Sequence, residues 1–148
     1  MKRITPLLLA ITLLLPFTTH AQEGAGETFI RPGSKVYIHP MDGFETYIAA
    51  AMDKKKVPLL IVADREKADF EIKGTAEMQK AGWSKTIFGS GRPAVNASIQ
   101  VINIKTSVVA YSVASHKDNA WSGMKSAAEH IAKNLAKKIR EDVKESRK

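Results

Sequence analysis

Between Ala68 and Met78 the chain alternates strictly. Ala68, Phe70, Ile72, Ala76 and Met78 are separated by Asp69, Glu71, Lys73, Thr75 and Glu77, with Gly74 in the apolar series. A period of two sends successive side chains to opposite faces, so this stretch predicts a strand with one face in a core and the other in water. Two similar runs follow, Ala94–Ile102 and Val108–Ser115. In the first, Val95, Ala97, Ile99 and Val101 oppose Asn96, Ser98 and Gln100. In the second, Val109, Tyr111 and Val113 form the apolar face, and the three runs together predict an antiparallel meander. Ile102 and Ile104 break the alternation, which predicts a bulge or strand end there.

Helical periodicity flanks this meander. Phe44, Tyr47, Ile48, Ala51 and Met52 fall at i, i+3, i+4, i+7 and i+8, one apolar stripe. Asp42 is expected to cap this helix and Glu45 to reach back to it, at capping-box spacing. Lys54–Lys56 complement the dipole at its end, and Pro58 stops it. Val36–Ile38 before it and Leu59–Val62 after it read as strands, the latter as one covered on both sides. Strand, helix, strand at this spacing predicts a crossover between parallel strands. At the far end Trp121, Met124, Ala128, Ile131, Leu135 and Ile139 trace a second stripe, capped by Asp118 or Asn119. The order β-α-β-β-β-β-α predicts a two-layer α/β (α+β) sandwich, a mixed sheet of about five strands with two helices on one face.

The chain ends change the picture. Lys2 and Arg3, an apolar stretch from Ile4 to Phe17 and Thr19-His20-Ala21 have the form of a secretory signal peptide cleaved near Ala21/Gln22. The expected organisation is a signal peptide (1–21), a flexible lead-in (22–34), a single domain (35–143) and a basic tail (144–148). Cleavage removes two of 23 Lys/Arg and none of 15 Asp/Glu, leaving 127 of 148 residues and a net charge of +6. There is no cysteine, which excludes disulfides, thiolate chemistry and a lipid-bearing N-terminal Cys. A net positive, exported chain favours an envelope protein or an anionic envelope component as partner, rather than nucleic acid or stable membrane insertion after cleavage.

Catalytic signals are sparse. There is no Gly-x-Ser-x-Gly, no Walker lysine pattern and no HExxH, and nothing implies a cofactor or a metal. Asp69 and Glu71 share a strand face, but Lys73, Thr75 and Glu77 continue it, so it reads as a solvated polar surface. An alternative reading, a small periplasmic hydrolase, would use strand-end His39, Asp42 or His116, with two of them brought together in a pocket. The segment from Lys80 to Pro93 is long for a hairpin connection and holds Trp83 and Phe88 among glycines and the cations Lys85 and Arg92. Aromatic and arginine anchors are what interfaces use, so these four are the candidate partner-binding residues. The basic C-terminus, with Arg140, Lys144, Arg147 and Lys148, could dock on anionic surfaces, but Lys138 with Asp142 and Lys137 with Glu141 at i, i+4 read much of it as a solvated helix end.

Ala68-Asp69-Phe70-Glu71-Ile72-Lys73-Gly74, then Ile99 to Tyr111, then Ser126-Ala127-Ala128-Glu129 with Ala132-Lys133 and Leu135, resemble small secreted bacterial proteins. The order of elements is also similar to periplasmic domains of the curli-secretion lipoprotein and of the TolB amino-terminal domain. That resemblance implies a mixed sheet with helices packed on it and a role through protein–protein contacts in the envelope. It implies no catalytic residue. The chain lacks the lipid-bearing cysteine of the curli-type lipoproteins.

Overall fold

A computed structural model describes residues 28–79, 94–118 and 120–147. The elements run β1 (Lys35–Ile38), α1 (Phe44–Lys54), β2 (Leu60–Ile61), β3 (Phe70–Gln79), β4 (Ala94–Asn103), β5 (Val109–Lys117) and α2 (Ala120–Glu145), with a 3-10 turn at Arg65–Lys67. The sheet order is β2-β1-β3-β4-β5. β1 lies parallel to both β2 and β3, while β3–β4 and β4–β5 are antiparallel. This is the mixed five-stranded, two-helix architecture that the periodicity implies.

The core lies between the sheet and the two helices. Phe70 and Ile72 of β3, Val95, Ala97, Ile99 and Val101 of β4, and Ile131, Leu135 and Ile139 of α2 are all buried. Alanines 127, 128, 132 and 136 let α2 sit close to the strands. Gly123 marks a close approach: a Cβ there would lie 2.5 Å from Val95 Cγ2. Gly74 has a similar role within the sheet, since its Cβ would fall 2.1 Å from the Ser98 carbonyl oxygen. The broken alternation near Ile102 is a bulge. Val101 faces Tyr111 but Ile102 faces Val109, leaving Ala110 as the extra residue.

Three local expectations are corrected. Asp42 does not cap α1: the N-cap is Gly43 at φ 92°, and Asp42 itself is left-handed at φ 52°. Glu45 does reach back, accepting from the amides of Met41 (2.7 Å) and Gly43 (3.0 Å). These amide bonds, Met41's foremost, hold the Glu45 carboxyl below its ordinary range. The run Leu59–Val62 is not a covered strand. Only Leu60 and Ile61 pair, at the sheet edge, and they are 56% and 46% exposed. Val109 turns outward with the bulge and is exposed, not part of the core face.

The chain entering β1 is also not free over its last residues. Ile30 is fully buried, and its amide donates to Asp142 Oδ2 at 2.9 Å across the end of α2. Asp142 also receives Lys138, one turn earlier on the same helix. What reads in sequence as a solvated helix end thus holds the incoming chain.

Candidate functional site

Both helices cover one side of the sheet, so among the described residues the other side is open. The register defines its rows. Tyr37, Glu71, Ile102 and Val109 lie side by side across β1, β3, β4 and β5. The next rows are Lys73–Gln100–Ser112, Thr75–Ser98–Ala114 and Glu77–Asn96–His116. Short side chains dominate the middle, and a shallow trough of ≈ 480 Å³ runs over Thr75, Ser98, Gln100, Ser112 and Ala114. A second depression of ≈ 430 Å³ continues it toward Glu77, Asn96 and His116.

One carboxylate organises the β1 end of this face. Glu71 is 3% exposed although it belongs to the polar series of β3. Arg65 Nε, from the turn before the strand, donates to its Oε2 at 2.6 Å. Lys73 Nζ lies 2.6 Å from Oε1, and His39 Nε2 lies 3.3 Å from Oε2. Tyr37 stands edge-on to His39, ring centroids 5.3 Å apart. The Arg65 hydrogen bond is the largest cause holding the Glu71 carboxyl down at about 2, with Lys73 adding to it against the opposing cost of burial. The same bond raises the Arg65 guanidinium. Asp69, its neighbour in the polar series, is exposed and accepts the Lys35 amide at 2.9 Å, tying β3 to β1. The expectation of a uniformly solvated face therefore fails at Glu71. Alternation assigns a residue to a face, but here long neighbouring side chains cover that part of it.

The histidines do not converge. The His39 amide bonds Ile72 at one end of the face, while His116 sits opposite Asn96, which sits opposite Glu77. That register separates them by about four residues along the strands and three strand spacings across, on the order of 20 Å. His116 meets Asn96 and Asp118 instead, its Nε2 2.9 Å from Asp118 Oδ1. Asp42 is exposed beside the N-terminus of α1. The strand-end residues of the hydrolase reading thus form no common centre. Among the described residues, no three or more His, Asp or Glu side chains are placed to hold a metal ion. Trp83, Lys85, Phe88 and Arg92 lie outside the described residues. Sequence reasoning missed Glu71, and its available signal was the run of cations at 65, 67 and 73 around a carboxylate strand.

No family model matches the chain, and no curated protein matches it. Among solved structures, the fold is similar to a PelC point variant, a dodecamer from Paraburkholderia phytofirmans. The TM-score is 0.55 at 15% identity, covering 73% of this chain and 91% of PelC. A PDZ-domain protein from Parabacteroides distasonis matches at TM-score 0.43 and 13% identity, over 69% of this chain and 31% of that one. A proposed lipoprotein from Caulobacter crescentus matches at TM-score 0.34 and 10% identity, over 72% and 86% of the two chains. None of these is the curli-secretion lipoprotein or the TolB amino-terminal domain, and the likeness to PelC stands at the level of fold. The chain shares with PelC a mixed sheet backed by helices.

Proposed function

We propose that the mature chain is an exported, non-enzymatic envelope protein that acts by binding, with the open sheet face as its docking surface. The observation that carries this reading is the composition of that face. A solvated face is ordinary for an antiparallel sheet, and hydroxyl and amide side chains satisfy water well. The row Tyr37–Ile102–Val109, with Val109 44% exposed, is different: it puts apolar groups beside a fixed charge network on a face that neither helix covers. Apolar contact area next to oriented charges is the usual make-up of a protein-binding surface. The short side chains of Ser98, Ser112 and Ala114 allow a partner to approach the backbone closely.

Export rests on the N-terminal pattern, and cleavage near Ala21 would release the domain. No helix among the described residues is long and apolar enough to cross a membrane. Trp83, Lys85, Phe88 and Arg92 belong to this reading as partner contacts on sequence grounds. The PelC neighbour is a dodecamer, so a copy of the same chain is one of the partners to be scored.

The test is capture from an envelope fraction by the mature protein, with sedimentation velocity run alongside. Ser98→Arg fills the trough from the exposed centre of β4; Thr46→Arg, exposed on α1, is the control. Loss of one partner, or of self-association, in Ser98→Arg alone supports the docking surface. Identical capture and sedimentation in all three proteins would count against it.

A further inference from the structure

The opposite side of the molecule carries a second surface of different chemistry. Lys133, Lys137, Arg140, Lys144 and Arg147 are all exposed on α2 or just past its end. The four on the helix, spaced 4, 3 and 4 residues apart, fall within about 60° of arc at about 100° per residue, and Arg147 follows in the turn past Glu145. The band is centred opposite the buried stripe Ile131–Leu135–Ile139 and spans about 17 Å from Lys133 to Lys144 at 1.5 Å per residue. Acids do not cancel it. Glu129, at its N-terminal end, is taken by Lys54 (2.7 Å) and Lys55 (3.1 Å) of α1. Asp142 faces inward to Ile30, Glu141 flanks the band 3.6 Å from Lys137, and exposed Glu145 lies about 120° round the helix from Lys133.

We infer that this stripe docks the protein on an anionic lipid surface, by charge alone. A straight row of flexible cations on a convex helix has no concavity to enclose a single anion, whereas it matches the planar array of phosphates on a bilayer. No aromatic side chain occurs between residues 122 and 148, so nothing on the stripe anchors in the acyl region. Binding is therefore peripheral, reversible and screened by salt within a Debye length. The sheet face points away from the bilayer in this pose and stays free for a partner. The inference rests on the envelope location proposed above, but not on the docking role of the open face.

Co-sedimentation with vesicles tests it, using the mature protein and phosphatidylglycerol:phosphatidylethanolamine vesicles against pure phosphatidylcholine, in about 50 mM and about 500 mM salt. The expected result is partitioning onto the anionic vesicles at low salt only. Lys137→Gln/Arg140→Gln/Lys144→Gln should lower it about 10- to 100-fold, each basic residue near such a surface contributing appreciably. Lys35→Gln/Lys67→Gln/Lys105→Gln removes the same charge elsewhere, at exposed positions, and should lower it far less. Absence of anionic-vesicle binding at low salt, or equal loss in both triple variants, overturns the inference. So does binding to soluble alginate without binding to vesicles. Ser98→Arg should bind vesicles as wild type does, so the two surfaces fail or succeed separately.

Discussion

Replacing Glu71 by Gln isolates the charge of one buried carboxylate at nearly constant shape. In the folded protein its carboxyl is held at about 2, against an ordinary 4.5, chiefly by the Arg65 hydrogen bond. That difference corresponds to about 3 kcal/mol of preference for the ionised form. It is an upper value, because the Arg65 and Lys73 side chains are 50% and 44% exposed and water screens them. The cations released in Glu71→Gln can also turn to solvent, so the loss at pH 7 should be about 1–3 kcal/mol. That is below the 3–5 kcal/mol typical of breaking a fully buried pair. The sign with pH follows from the lowered value. The contribution is complete above the unfolded pKa near 4.5 and is lost as pH falls through the folded value near 2. Urea unfolding of both proteins at pH 7, 5, 4 and 3 should show a constant gap down to about pH 5. The gap should then shrink by roughly half by pH 3. Glu45 and Glu129 titrate in both proteins and cancel in the difference. A gap that is unchanged between pH 7 and pH 3 would mean that Glu71 is not the selectively ionised centre of the network.

Leu135→Ala should cost about 2–5 kcal/mol, since Leu135 is 1% exposed under the sheet, whereas exposed Lys144→Ala should cost under about 0.5 kcal/mol. Equal denaturation midpoints would contradict the docking of α2. Ser115→Ala should be neutral or stabilising by up to about 1 kcal/mol, because the buried Ser115 hydroxyl has no hydrogen-bond partner among the described residues. A clear loss of stability would show that it has one. Asp142→Ala removes the acceptor of the Ile30 amide and should cost about 1–3 kcal/mol, with faster hydrogen exchange at Ile30. Unchanged exchange there would place the anchor elsewhere.

What was legible in the sequence was whatever repeats locally. The period of two in residues 68–78 and 94–102 marks β3 and β4 and their core faces. The Ile102–Ile104 break marks the bulge, and the strand–helix–strand spacing marks the parallel pair β1–β2. What was not legible depends on contacts far apart in the chain. Ile30 and Asp142 are 112 residues apart, and no local pattern links them. Leu60 and Ile61 belong to an apolar run that reads as covered, but strand order, not composition, puts β2 at an edge. At Glu71 the face was right and the burial was not, because Arg65 arrives from a preceding turn and His39 from β1. At α1 the polar Asp42 looked like the cap, yet the left-handed Asp42-Gly43 pair leaves Glu45 to bond the exposed amides.

The central claim, that the chain works by binding a protein on its open sheet face, is tested most directly inside cells. A photo-crosslinking residue placed at Ser112, exposed in the trough, and separately at Thr46 on α1, samples the two sides of the molecule. The account predicts discrete protein adducts from position 112, to another envelope protein or to a second copy, and none from position 46. Adducts from position 46 with none from position 112 would contradict it.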